Sequence, residues 1–527
     1  MQQDILSKSG VHLSDGIDRL VTRSFHIDRV DEFDLIRAIA ELSPDHTCSQ
    51  DRLQALTSDL IRMKKSRGAL LEDPSVTVRR LPGSSYILNE VRDRTILVTG
   101  GTGHIGKVLI QRLLPYGPRR VVLISRSPTV GGASSHRVVR TVQADVRDRN
   151  SLTTLFARYR PDVVYHLAEK RLLPPSLGEI RMADMISTNV FGTRNIVDCS
   201  REFRARQCIV VSTAKAVQYV PFHVYDQTQK LEEWVTLAAS VDNGPAYGVI
   251  RLPDVLDDSW LLHKMRGGMA KGLVALQTPH ISFYAQQVGE AVDLLLNTLP
   301  LVEAGQARIV SSEDLGWPIN LLDLALYKIY ESGSRAGIYF TGTPPGNEGH
   351  VFQGVLDWTA PTRRIPHPLH NALEHRIEDP RTAAAGVRAS YAPPCDAEIV
   401  SAVLDQLQRD ASGIPDGSIR LRASLRRAVS RLALKVFSET SPERLVEIAR
   451  WGASPSILRL TGTAVMHHRD TLIPLMQSLL PKVTPQLLFR SGWNLDEWET
   501  FLGAASEIPE LKELVTERMS ARRCSMG

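Results

Sequence analysis

One run constrains this chain more than any other. Five strand-like residues, Thr95–Thr99 (TILVT), lead into Thr99-Gly100-Gly101-Thr102-Gly103-His104-Ile105-Gly106 and then into a helix-like segment at 107–114. A strand that turns on glycines directly into a helix suits few architectures. Gly100 permits a tight turn, Gly103 lets the backbone approach a diphosphate, and Gly106 lets the helix pack closely on the strand. The helix start then offers unpaired N–H groups and the positive end of its dipole to phosphate.

The surrounding pattern agrees. Strands are predicted at 120–125, 141–144, 163–166, 207–212 and 246–252. Helices are predicted at 151–159, 183–203, 287–298 and 321–331. That alternation implies βαβ units and an α/β fold, a Rossmann-type doubly wound parallel sheet. Asp145 follows the third strand, where its carboxylate can accept from an adenine amino group, with Val146 beside it. Ser125-Arg126 ends the second strand. An acidic residue there would bind the ribose 2′-hydroxyl of NAD, whereas an arginine favours the 2′-phosphate of NADP. The expected cofactor is therefore NADP, with NAD as the alternative.

Outside this core the chain reads as helical. Ser14 is placed to cap one helix, Asp31 a second, and Ser49 a third, followed by a strand-like piece at 76–80 and a Pro82-Gly83 turn. Three regions are expected: a helical appendage at 1–93, a dinucleotide domain at 94–395 with a small substrate lobe over about 246–395, and a helical domain at 396–527. The stretch 418–435 carries Arg420, Arg422, Arg426, Arg427, Arg431 and Lys435 beside an apolar stripe, and reads as a solvated helix face or a surface for an acidic partner or membrane. A net charge of +5 over 527 residues argues no nucleic acid. The five scattered cysteines show no paired or metal spacing, and no run approaches a membrane span. A cytoplasmic protein with no transmembrane segment, forming a homo-oligomer, is expected.

Five segments in order resemble the extended short-chain dehydrogenase/reductases: the glycine turn, Asp145-Val146-Arg147-Asp148, His166-Leu167-Ala168-Glu169-Lys170, Thr188-Asn189-Val190-Phe191-Gly192-Thr193 and Ser212-Thr213-Ala214-Lys215-Ala216. The likeness is to the polysaccharide-biosynthesis branch, typified by UDP-N-acetylglucosamine 4,6-dehydratases. Arg251-Leu252-Pro253-Asp254-Val255 is similar to that branch's Arg-Xaa-Gly-Asn-Val. Gly342-Thr343-Pro344-Pro345-Gly346-Asn347-Glu348 is similar to its Arg-Pro-Gly-Glu segment.

The resemblance implies a nicotinamide relay on a nucleotide-activated sugar or similar anionic small molecule. Tyr225, Lys215, Ser212, Thr213 and Lys230 are its catalytic candidates. Gly100, Thr102, Gly103, His104, Ile105, Gly106, Ser125, Arg126, Asp145, Val146, Leu167, Ala168, Lys170 and Asn189 are implied around the cofactor, and Arg251 and Asp254 at the substrate. His166 reads as a satisfied core histidine.

The sequence departs from the branch where the chemistry lies. Ser-Thr-Asp-Lys becomes Ser212-Thr213-Ala214-Lys215, so the acid expected to drive elimination is an alanine. The lysine expected four residues after Tyr225 is Gln229, and Lys230 lies about 100° further round a helix. Either a late helix start brings Lys230 round, or the charge on the nicotinamide ribose is lost. Pro253 and Asp254 replace Gly and Asn, His280-Ile281-Ser282 replaces Met-Thr-Arg, and Pro344 replaces an arginine. Three readings follow: altered chemistry on a nucleotide sugar, a dinucleotide-binding scaffold or sensor without catalysis, or a site rebuilt by the terminal regions.

Overall fold

The computed structural model describes residues 31–525, apart from 71, 75–84, 127–135, 172–180, 222, 241–243, 258, 343–366, 394, 414–418 and 453–462. The expectations at Ser14, at 76–80 with its turn, and at 343–348 lie outside the described residues.

Nine strands form one sheet: β1 Thr95–Thr99, β2 Arg120–Ser125, β3 Val139–Gln143, β4 Val163–His166, β5 Gln207–Thr213, β6 Ala246–Leu252, β7 Arg308–Ser312, β8 His375–Arg376 and β9 Val387–Tyr391. Their spatial order is β8-β9-β7-β6-β5-β4-β1-β2-β3. From β3 to β7 every pairing is parallel, and β9 joins β7 antiparallel, as β8 joins β9. β1 and β6 are buried along their whole length, as central parallel strands covered on both faces must be. The strand order reverses between β1 and β4, which pair in register from Ile96↔Val163 to Thr99↔His166. In an open α/β sheet that reversal leaves a crevice at the carboxyl ends of the strands. The glycine turn leaves β1 there, and residues 167–171 leave β4 beside it.

Helix α1 (His104–Leu113) follows the turn. Helix α2 (Arg149–Tyr159) is capped by Asp148, whose carboxylate accepts from Asn150 N and Ser151 N at 3.0 and 3.2 Å. The long helix expected over 183–203 is interrupted. A π-helical turn, Ile186–Phe191, separates Met182–Met185 from α3 (Gly192–Glu202). Helix α4 (Val224–Ala239) is buried over most of its length between β5, β6 and α5 (Ile419–Glu439).

The chain sorts into two compact units whose borders differ from 93, 246 and 395. The larger contains the sheet and the C-terminal helices. Val429, Leu432 and Phe437 of α5 share one apolar core with Leu231 and Trp234 of α4, so residues 396–525 do not stand apart from the dinucleotide domain. Arg194 of α3 also binds Asp405 at 2.6 Å and Ser401 at 3.0 Å.

The smaller unit joins the described N-terminal helices to residues 255–287 and 316–342. Helices Glu32–Leu42 and Gln50–Ser66 share a core with Leu262, Val274, Leu324 and Ile338. They also satisfy a strand edge, because Ile338 N donates to Thr57 Oγ1 at 2.9 Å and Phe340 N to Ser43 Oγ at 2.8 Å. Residues 31–70 are therefore part of this lobe rather than an appendage. Among the described residues, no helix is long and apolar enough to cross a membrane.

Candidate functional site

The glycine turn has no room for a side chain at Gly100 or Gly106. Gly100 sits at φ +65°, and a Cβ there would lie 2.7 Å from the carbonyl oxygen of Leu167. Gly103 N donates to Gly100 O at 2.9 Å and closes the loop. A Cβ on Gly106 would meet Gly101 Cα at 2.5 Å, so α1 packs against the turn only because that position is glycine. No side chain caps α1, and Gly103, His104 and Ile105 stand at least partly open to solvent at its start. This is a cradle that a diphosphate fits, with the helix dipole behind it.

Neighbouring strand ends complete the frame. Thr102 Oγ1 lies 3.4 Å from Ser125 Oγ, and Arg126 is exposed at the end of β2. Asp145 is held by Arg147, whose N, Nε and Nη2 donate to its carboxylate at 2.9, 3.0 and 2.7 Å. Burial pushes that carboxyl's pKa up, but the Arg147 hydrogen bonds outweigh it and the net shift is downward. Val146 is buried under Gly192, where a Cβ would come within 2.7 Å of its Cγ2.

The chain leaving β4 is fixed by protein, not by ligand. Leu167 N and Ala168 N both donate to Thr99 Oγ1 at 3.2 Å. His166 bridges Thr99 Oγ1 and Thr193 Oγ1 at 2.7 and 3.0 Å, and burial pushes its pKa down to about 3, as a satisfied neutral core histidine requires. Asn189, in the π-helical turn, accepts from Lys170 N at 2.7 Å and donates to Lys170 O and Thr228 Oγ1 at 3.0 Å each. With both ends of its amide engaged and no exposed surface, Asn189, expected at the cofactor, holds the loop after β4 in place.

The catalytic candidates divide into two groups. Helix α4 starts regularly at Val224 and has no bulge, so Lys230 is not brought round to Tyr225. Its ammonium instead donates to Ala216 O at 2.8 Å and pairs with Glu233 at 3.3 Å. Glu233 and Glu374 grip the fully buried Arg251 from both sides, at 2.7 to 2.9 Å, and Leu369 O takes another of its hydrogens at 2.9 Å. Ser212 Oγ donates into the same cluster, to Glu233 at 2.8 Å. Burial pushes the Glu374 carboxyl up, yet Arg251 and His370 bring it down to about 2. Two cations thus meet two carboxylates among buried residues. Ser212, Lys230 and Arg251, expected at the chemistry or the substrate, are buried and bind protein acceptors, sharing Glu233 among them.

The second group gathers after β4 and β5. Tyr225 Oη donates to Glu169 Oε2 at 2.8 Å. The other oxygen of Glu169 accepts from Arg171 Nε. Lys215 lies in the turn after β5, where Asp254 raises its pKa, burial opposes this, and Asp226 and Glu169 add to the rise. Thr213 Oγ1 accepts from Lys215 N at 3.5 Å and caps that turn. Gln229, four residues past Tyr225, is fully buried and donates to Glu232 at 2.6 Å. Glu169, Arg171 and Asp226 were not singled out from the sequence. Glu169 lies inside the motif running from His166 to Lys170, so a carboxylate in that motif was the available signal.

The arrangement can therefore cradle a diphosphate at the β1 turn. Beside the same crevice it presents a phenol, two cations and three carboxylates able to hold or move protons.

Comparison with known proteins places this geometry. The family model described as "Polysaccharide biosynthesis protein" matches residues 96–351. An uncharacterized membrane protein of Methanocaldococcus jannaschii is 31% identical over 42% of this chain and 68% of its own length. The probable polysaccharide biosynthesis protein EpsC of Bacillus subtilis is 26% identical over 50% of this chain and 46% of its own. A UDP-N-acetylglucosamine 4,6-dehydratase (inverting) of Campylobacter jejuni is 30% identical over 31% of this chain and 49% of its own. The chain thus spans about half the length of the last two. By these matches this chain belongs to the polysaccharide biosynthesis protein family.

Proposed function

We propose that this chain binds NADP(H), with NAD(H) as the alternative, on the glycine turn and modifies a nucleotide-activated sugar. The observation that carries the reading is the turn itself, where backbone contacts at 2.5 and 2.7 Å exclude any side chain at Gly106 and Gly100 beneath an uncapped helix start. Arg126, exposed at the end of β2, supports the 2′-phosphate form. The Campylobacter relative's name supports a UDP-N-acetylhexosamine as the first substrate to try.

When bound, the nicotinamide supplies a hydride acceptor and donor. The protein's part is to hold the sugar hydroxyl and move its proton. Tyr225 is the acid/base best suited to that proton, and Lys215 with Asp254 and Asp226 is placed to orient a polar substrate. Ala214 offers no proton, so an oxidation, reduction or epimerisation is favoured over the elimination of a standard 4,6-dehydratase.

A specific observation favours a second reading, a dinucleotide-binding scaffold without catalysis: Ser212, Lys230 and Arg251 are sealed into a buried network. Mass spectrometry of the purified chain for a co-purified dinucleotide, followed by NMR of UDP-N-acetylglucosamine with the protein in deuterated water, tests both. Exchange or product that is lost in Tyr225→Phe, by roughly 100-fold or more, fits the enzyme. Bound dinucleotide with neither exchange nor product fits the scaffold.

A further inference from the structure

The lysine expected beside Tyr225 would have a definite physical role, because its charge would stabilise tyrosinate and let the phenol act as a base near neutral pH. No residue of α4 does that for Tyr225. Position 229 is a neutral glutamine turned to Glu232, and the Lys230 ammonium faces Ala216 O and Glu233. Burial, and then the Glu169 carboxylate, push the Tyr225 phenol well above its ordinary range, with Arg171 offsetting only part. A free tyrosinate is therefore unavailable at neutral pH. If Tyr225 is to accept a proton, it must give up its own in the same step.

The geometry supplies an acceptor for that proton. Tyr225 Oη donates to Glu169 Oε2 at 2.8 Å, on the loop that leaves β4. The loop is held in place by Asn189, which binds the backbone N and O of Lys170 at 2.7 and 3.0 Å, next in sequence to Glu169. The second oxygen of Glu169 accepts from the Arg171 guanidinium, which leaves Oε2 for the phenol. We propose that Arg171, Glu169 and Tyr225 form a proton relay that replaces the missing tyrosine–lysine pair, with Glu169 the terminal base for the substrate hydroxyl.

This inference rests on the enzymatic reading above. In the step, the sugar O–H bond breaks and its proton bonds to Tyr225 Oη as the phenolic proton passes to Glu169 Oε2. The carbinol C–H bond breaks with its electron pair leaving as hydride to an oxidised nicotinamide dinucleotide, and a C=O forms. Reduction runs the same protons backward. Tyr225 would touch the substrate, and Glu169 acts through it as a positioning residue and proton acceptor.

The test compares wild type, Glu169→Gln, Glu169→Asp and Tyr225→Phe as full-length chains. The first readout needs no activity: ultraviolet difference titration of the tyrosines, with Tyr225→Phe identifying the signal of Tyr225. Removing the Glu169 charge should lower the Tyr225 pKa by a unit or more, roughly the size of one close charge. The second is the pH profile of turnover with UDP-N-acetylglucosamine and NADP+. Glu169→Gln should lose the acidic limb and fall in kcat by about 100-fold, with KM for the dinucleotide unchanged, and Glu169→Asp should recover part of the loss. An unmoved Tyr225 titration, or a Glu169→Gln enzyme with wild-type turnover at every pH, overturns the relay. Wild-type protein that binds dinucleotide but shows no turnover overturns the enzymatic reading instead, whatever the titration shows.

Discussion

The glycine turn after β1 and the polar cluster behind α4 belong to one sheet, with β4 between β1 and the β5 and β6 strands that carry the cluster, yet they respond oppositely to sequence change. On the proposed reading the turn binds through backbone, so its requirement is empty space, and three glycines leave that space. The cluster around Arg251 binds through side chains, and each group has found a protein partner. At the turn, function follows from what is missing. In the cluster, residues of the right type for catalysis have been drawn inward, whereas Tyr225 stands apart from it on Glu169.

Breaking the cluster should have the largest effect. Arg251→Met would leave Glu233 and Glu374 buried without their shared cation, and removing one partner of a buried ion pair costs about 3–5 kcal/mol. Urea unfolding should show the loss, while dinucleotide affinity of the folded fraction stays near wild type. At the turn the expected order is reversed. Gly106→Val must overpack against Gly101, a strain of roughly 1–3 kcal/mol, and that strain falls on the diphosphate cradle. Affinity for the dinucleotide should drop by about 10- to 100-fold, read by calorimetry.

Acid should act on the protein next in size. Burial holds His166 at about 3 against an ordinary 6.5. Below pH 6.5 the unfolded chain takes up that proton and the folded chain does not, so stability declines as pH falls and the decline ends near 3. Between pH 6.5 and about 5 this one group removes about 2 kcal/mol, and His166→Asn should flatten the slope by that amount in denaturant titrations. The smallest effect separates turn from cluster most sharply. Lys230→Met should change dinucleotide affinity by less than about 2-fold, because its ammonium serves Ala216 and Glu233. A fall of ten-fold or more would return Lys230 to the nicotinamide ribose.

The sheet was legible because its signals are local. β2, β4 and β6 begin and end where β-branched runs meet turn residues, and the alternation with helices announced the parallel topology. Small boundary shifts have local causes too: α1 starts at His104 rather than 107 because Gly103 already takes the extended cap conformation. The π-helical turn at Ile186–Phe191 keeps the chain helical, so nothing in the helix-like pattern over 183–203 marked it.

The site was legible only in part. The glycines carried the cradle, but the fate of Arg251 depended on Glu374, 123 residues away, and no local pattern joins them. Glu169 stands within a family-like motif, yet nothing local marks it as the partner of Tyr225, 56 residues on. Lys170 beside it is held by its backbone rather than its side chain, which residue type alone does not reveal. The grouping of residues 31–70 with 255–287 likewise depends on long-range contacts such as Gln54 Nε2 to Gly272 O at 3.1 Å.

The central claim is that the β1 turn holds a nicotinamide dinucleotide, and calorimetric titration of the full-length chain with NADP+ and NAD+ tests it most directly. One saturable site per chain is predicted, tighter for NADP+, with the preference moving toward NAD+ in Arg126→Asp. Binding of neither dinucleotide would contradict it.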